Sequence, residues 1–253
     1  MGSDNIFKRR KGQVAAALQR KKKSRSKGPR FLIVCEGQKT EPYYFEEFCQ
    51  LHQLLTSRVK IVPSHTGSSP NRVVDYAEQL YDEDALLGGD SYDKIFCVFD
   101  RDTHSTFKTA LTRIDQLAGA GKPFTAIPSY PCFEYWFLLH FKYTRMPFYA
   151  KGKRTIADNV IQELRQQPGF NAYSKAKKNT FEILRTKTDI AIKHSKQAAI
   201  EAEQTDEKNP STLVHVLVEA LSLLAQSHGK APPNLPTPEP HRVQGASPVR
   251  LSW

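Results

Sequence analysis

The chain has 253 residues, of which 39% are hydrophobic and 25% are charged, a composition typical of a soluble protein with a substantial core. No apolar run approaches the roughly 20 residues that a membrane-spanning helix needs, and no apolar segment follows the basic N-terminus as in a secretory signal. The four cysteines have no C-x-x-C spacing, which argues against a zinc site or a disulfide framework. These features predict a cytoplasmic protein that does not associate with a membrane.

The net charge of +11 is concentrated at the N-terminus. Residues 1–30 contain eleven Lys or Arg and one acidic residue, whereas residues 31–253 contain 26 basic and 25 acidic residues. A basic arm of this kind can bind phosphates without sequence preference. Its candidate nucleic-acid contacts are Lys21, Lys22, Lys23 and Arg25. A disordered leader whose charge only aids solubility is an equal alternative.

Residues 31–128 alternate apolar strands with amphipathic helices. The predicted strands are 31–35, 58–62, 94–99 and 123–127. The predicted helices are 42–55, 71–87 and 105–118. This alternation predicts an α/β fold with a doubly wound, Rossmann-like parallel sheet flanked by helices. Such sheets bind ligands at the carboxyl ends of their strands.

The pattern changes after residue 128. Helices are predicted over 133–141, 155–166, 174–203 and 211–226. The last 27 residues contain six prolines and little periodicity. We therefore predict a basic leader (1–30), one domain (31–226) with a core (31–128) and a C-terminal helical addition (129–226), and a loose tail (227–253).

Acidic residues follow two of the apolar strands. Glu36 comes directly after the first strand, and Asp100 and Asp102 end the third, with their side chains on the same side of an extended segment. Carboxylates brought together in this way repel one another unless a cation lies among them. Mg²⁺ suits such a carboxylate cluster because it prefers hard oxygen ligands. Gly37 would leave room for a phosphate or a water beside Glu36. A lone D-x-D is common in acidic turns, but the two features together are more specific.

The residues around these acids resemble a known family. Glu36-Gly37 after a buried strand, followed by Asp100-x-Asp102, resembles the Toprim domain of topoisomerases, bacterial primases and OLD-family nucleases. The longer strings that resemble the RloB-like family lie at 35–45, 99–102, 129–141 and 209–212. This resemblance implies a Toprim nuclease. It also implies a role in anti-phage defence, by restriction or abortive infection, commonly beside an ATPase partner.

The resemblance implies that Glu36, Asp100 and Asp102 bind the metal, Mg²⁺ or alternatively Mn²⁺. Glu134 matches an acid of the nuclease branch of the Toprim proteins. Independently of that match, it is the only charged residue in an otherwise apolar helix start, where its carboxylate would cap the helix or reach the metal. Glu41 would bind a second metal or act as a simple N-terminal helix acid. Its spacing from Glu36 is one residue longer than in OLD nucleases, so Glu41 is not an exact match to the acid of that motif.

Two ions would activate water and stabilise the leaving oxygen of a phosphodiester. A positive side chain near the transition state would assist, and Lys175 is the candidate, although a surface role within the 175–178 lysine cluster is the alternative.

Other functional classes fit less well. Topoisomerases need large gate domains for which the chain has no room, and primases need zinc modules that the cysteine spacing does not provide. A non-catalytic, metal-binding subunit of an ATPase-containing defence complex, tethering nucleic acid through the basic arm, is the main alternative. The choice between DNA and RNA, including transfer RNA, stays open, as does assembly into a homo-oligomer.

Overall fold

A computed structural model describes residues 28–64, 67, 69–86, 91–101 and 105–227. The predictions for the four arm residues at 21–23 and 25, for Asp102 and for the tail from 228 onward lie outside these ranges. In the described part of the chain, no helix is both long enough and apolar enough to cross a membrane.

The described strands form one sheet whose order is β2-β1-β3-β4-β5. Its strands are β1 (Phe31–Cys35), β2 (Val59–Pro63), β3 (Lys94–Asp100), β4 (Phe124–Tyr130) and β5 (Ser211–Thr212). Strands β1 to β4 are mutually parallel, and β5 pairs antiparallel with the end of β4. The predicted α/β, Rossmann-like class is therefore confirmed. The antiparallel β5 was not predicted, because two residues are too few to show strand periodicity.

The helices flank the sheet or belong to the helical addition. They are α1 (Thr40–Leu51), α2 (Pro70–Leu86), α3 (Phe107–Gly119), α4 (Glu134–Leu138), α5 (Ile156–Leu164), α6 (Thr180–Leu184), α7 (Thr188–Thr205) and α8 (Val214–Gln226), with a 3-10 turn at Arg185–Lys187. The single helix predicted over 174–203 is wrong. Residues 174–179 are irregular because the backbone adopts positive φ at Ala176 (67°) and Asn179 (60°).

The sheet is buried on both faces, which explains why its strands are continuously apolar. In β1, Phe31, Ile33 and Cys35 pack against α1 and against the helical addition, which includes α4. Leu32 and Val34 of the same strand pack against α2 and α3 on the opposite face. The helical addition thus covers one face of the sheet and shares its larger core.

A buried chain of polar side chains joins the helical addition to the edge of the sheet. The Ser129 and Thr212 hydroxyls are 2.8 Å apart, linking β4 to β5. The Ser195 hydroxyl donates to the Thr212 carbonyl oxygen (2.9 Å) and lies 2.8 Å from Nδ1 of His215. Ser129 is also the β-sheet partner of Asp100, so this network ends beside the end of β3.

Candidate metal centre: an acidic pocket at the carboxyl edge of the sheet

A pocket of about 330 Å³ opens at the carboxyl ends of β1 and β3. Its charged lining side chains are four carboxylates and two ammonium groups, from Glu36, Glu41, Asp100, Glu134, Lys39 and Lys175. These residues come from the end of β1, the start of α1, the end of β3, the start of α4 and the loop before α6. The structure therefore brings together five of the predicted site residues, whereas Asp102 lies outside the described residues.

The parallel register of β1 and β3 places Glu36 beside Asp100. The Glu36 amide donates to the Val98 carbonyl oxygen (2.9 Å), which continues the β1–β3 ladder by one residue. In return, the Asp100 amide donates to Oε2 of Glu36 at 2.9 Å. Both acids are held where the two strands end, as expected for adjacent parallel strands.

The Glu41 carboxylate folds back over Gly37. The Gly37 amide donates to Oε1 of Glu41 (3.2 Å), and a Cβ atom at residue 37 would lie only 2.0 Å from Oε2 of Glu41. A side chain at residue 37 would therefore push the Glu41 carboxylate away from this position. Gly37 also lines the pocket, and the predicted room for a phosphate or a water beside Glu36 stays a prediction.

Glu134 lies at the base of the pocket, with a relative exposure of 1%. Its Oε1 lies 3.4 Å from the donating hydroxyl of Tyr173 and 3.9 Å from Nζ of Lys175. Lys175 reaches in from the surface, since 58% of its side chain is exposed. Tyr173 was missed by the sequence analysis, and its only signal was its position two residues before Lys175.

Burial and mutual repulsion control the protonation of these acids. Burial, followed by the charges of Glu41, Glu134 and Glu36, raises the pKa of Asp100 well above its usual range. Burial, with a further contribution from Glu134, raises the pKa of Glu41 to about 7. The pKa of Lys175 is also raised, chiefly by Glu134. Burial is the largest cause for both acids, whereas their smaller charge contributions and the shift of Lys175 indicate an excess of negative charge in the pocket, where an added cation is favoured.

The donor chemistry of the pocket suits a hard divalent cation, since its acidic lining offers carboxylate oxygens. Among the described residues, however, no three His, Cys, Asp or Glu side chains are already arranged as a ligand set. Glu36 and Glu41 instead accept hydrogen bonds from the backbone. The pocket thus fits a metal by charge and by donor type, and ligation would require these carboxylates to turn.

These features define an α/β protein of the Rossmann-like class with an acidic pocket at the carboxyl edge of its sheet. A family model described as RloB-like protein matches residues 31–221, about three quarters of the chain. The chain therefore belongs to the RloB-like family. Comparisons with curated proteins and with solved structures give no significant match.

Proposed function

We propose that the protein is a metal-dependent nuclease that hydrolyses phosphodiester bonds of nucleic acid. The observation that supports this most is the convergence of Glu36, Glu41, Asp100 and Glu134, with Lys175, in one pocket at the carboxyl edge of the sheet. Its role as an effector of anti-phage defence, with an ATPase partner, rests on the resemblance to RloB-like proteins alone, and the proposed cytoplasmic location rests on the composition of the chain.

Each pocket residue has a proposed task. Glu36, Glu41, Asp100 and Glu134, together with Asp102, would hold Mg²⁺ or Mn²⁺. When bound, such ions supply an activated water and stabilise the leaving oxygen of a phosphodiester. The Lys175 ammonium would stabilise negative charge that develops on the phosphate, because preorganised charges act strongly in a site that is partly shielded from water.

Tyr173 is a positioning residue in this proposal. Its hydroxyl donates to Oε1 of Glu134, the same oxygen that Lys175 approaches. Tyr173 and Lys175 therefore both hold this oxygen of the Glu134 carboxylate. Loss of the hydroxyl is expected to loosen Glu134 without removing a ligand.

A non-catalytic, metal-binding subunit is the second candidate. One observation favours it: the Glu36 and Glu41 carboxylates both accept backbone hydrogen bonds, an arrangement that also suits a purely structural role. Both candidates predict metal binding, but only the first predicts cleavage.

The deciding experiment incubates the full chain with plasmid, linear DNA and total RNA, in Mg²⁺, Mn²⁺ or EDTA, alone and together with the proposed ATPase partner. Asp100→Asn removes a pocket charge, and Asp115→Asn is the matched control, since Asp115 is exposed on α3. We expect metal-dependent cleavage by the wild type and by the control, and none by Asp100→Asn. Cleavage that persists in Asp100→Asn, or its absence in every condition, would overturn the proposal.

A further inference from the structure

Four lysines lie in the lining of the acidic pocket or in the loop beside it. Lys39 and Lys175 line it, and Lys177 and Lys178 follow in the same loop as Lys175. We call Lys39, Lys175, Lys177 and Lys178 the lysine rim. Nζ of Lys178 lies 5.3 Å from the centre of the Tyr43 ring, so the rim extends across the first turns of α1.

The loop that carries three of these lysines is fixed at both ends to α1. The Ala176 amide donates to the Thr40 hydroxyl at 3.0 Å. At the other end, the Glu47 carboxylate accepts from the amides of Asn179 and Phe181, which also satisfies the start of α6. Lys177 and Lys178 lie between these anchors and Lys175 directly precedes the first one. The three lysines therefore have a defined location, and a ligand that binds them need not order the loop first.

Two of the rim lysines, Lys39 and Lys178, have charge available for an external anion, whereas Lys175 pairs with Glu134 and Nζ of Lys177 donates to the Gly169 carbonyl oxygen. Lys39 and Lys178 are exposed, and no carboxylate of the described residues forms an ion pair with either. The interior of the pocket carries four carboxylates and would repel an approaching phosphate. A positive rim offsets this repulsion at the entrance. Since the folded part of the chain is nearly neutral in total, this local concentration of lysines is not a consequence of composition.

We propose that the lysine rim binds the phosphodiester backbone of a nucleic-acid strand and holds a phosphate over the acidic pocket. The inference rests on the proposed function for the identity of the ligand. Ammonium groups bind phosphates as point charges and without sequence information, so the rim sets affinity and register and leaves base recognition to other surfaces. It adds a contact surface within the folded domain to the one predicted for the basic arm.

The test measures binding without cleavage. A fluorescein-labelled single-stranded DNA oligonucleotide, and an RNA of the same sequence, are titrated with the full chain in EDTA over a series of sodium chloride concentrations, with fluorescence anisotropy as the readout. The rim variant is Lys39→Ala with Lys178→Ala. The matched control is Lys60→Ala with Lys193→Ala, which removes the same charge from two exposed lysines outside the pocket lining.

We expect the rim variant to bind about three- to tenfold more weakly than the wild type. The slope of log affinity against log salt should become shallower by roughly 1.4, because each of the two lost phosphate contacts on a single strand contributes about 0.7. The control pair should stay within about twofold of the wild type, and Lys39→Arg with Lys178→Arg should retain binding. Thermal unfolding of each variant shows that the fold is intact.

Three results would overturn the inference. The first is a rim variant with wild-type affinity and salt slope, and the second is a control pair that weakens equally. The third is displacement of the oligonucleotide by polyglutamate as efficiently as by unlabelled oligonucleotide, which would mean that the rim attracts any polyanion. Failure of the proposed function is distinguishable, because it appears as intact, rim-dependent binding without metal-dependent cleavage.

Discussion

Replacement of Glu41 by glutamine is expected to stabilise the metal-free protein at alkaline pH. Burial and the charge of Glu134 raise the pKa of Glu41 from 4.5 to about 7. A shift of this size corresponds to an unfavourable contribution of about 3 kcal/mol when the group is ionised. Glutamine keeps an oxygen that can accept the Gly37 amide hydrogen bond, so the variant removes the charge and little else.

The sign of the pH dependence follows from the direction of the shift. Below pH 4.5, Glu41 is mostly protonated in both the folded and the unfolded chain, so its shifted pKa does not lower the free energy of unfolding. As the pH rises towards 7, the unfolded chain loses its proton first and the folded protein loses stability relative to it. The full penalty is present above pH 7, where the variant should be the more stable protein.

The assay is equilibrium urea denaturation at pH 5 and at pH 8, in EDTA and in Mg²⁺. In EDTA at pH 8, Glu41→Gln should exceed the wild type by up to about 3 kcal/mol, with a much smaller difference at pH 5. Mg²⁺ should stabilise the wild type more than the variant, because a ligand stabilises the fold that binds it. Glu46→Gln, an exposed change on the same helix, is the control. Equal stability of Glu41→Gln and the wild type at both pH values would refute the electrostatic argument.

Three further substitutions test other contacts. Gly37→Ala should displace the Glu41 carboxylate, whose Oε2 lies 2.0 Å from the site of the new methyl group, and should weaken Mn²⁺ binding measured by calorimetry with little change in stability. Lys175→Met should tighten Mn²⁺ binding about three- to tenfold, because a competing positive charge is lost from the pocket, and should abolish cleavage if the proposed function holds. Ser195→Ala should lower the free energy of unfolding by about 1–3 kcal/mol, because two buried partners lose their hydrogen bond.

Each of these substitutions has a control. Gly119→Ala adds a methyl group in open space, Lys193→Met removes an exposed lysine of α7, and Ser222→Ala removes a hydroxyl that bonds only to its own helix. Unaltered Mn²⁺ affinity in Gly37→Ala would show that Glu41 does not contact the ion. Weaker Mn²⁺ binding in Lys175→Met would contradict charge competition. A Ser195→Ala variant as stable as Ser222→Ala would mean that the buried network contributes little.

The sheet and the two acids at its edge could be predicted because they depend on local sequence. A continuous apolar run followed by an acid marks both the strand and the position of Glu36, and the same holds for Asp100. Parallel pairing then brings the strand ends together whatever the rest of the chain does. Glu134 was found for a different reason, since a lone charge in an apolar helix start requires a partner.

The remaining parts of the pocket depend on tertiary contacts that leave no local pattern. The break at 174–179 is stabilised by Thr40 and Glu47, more than 130 residues earlier in the chain. Tyr173 and Lys39 have no periodicity that would separate them from core or surface residues. The inward turn of Glu41 depends on a backbone amide beside it and could not be read from its helical position.

The pocket is built from segments that lie far apart along the chain, so its parts are synthesised in a fixed order. A ribosome makes the strands that carry Glu36 and Asp100 first, Lys175 much later, and β5 near the end of the domain. Chains begin to fold while they are being synthesised. The four carboxylates of the pocket are therefore present before the Lys175 ammonium and before β5, the strand that closes the sheet edge. A chain interrupted before residue 175 would contain the four carboxylates and lack that ammonium. We therefore expect the unfinished chain to carry more uncompensated negative charge at this edge than the finished domain, and Lys175 to reduce that excess only after its own segment has been made.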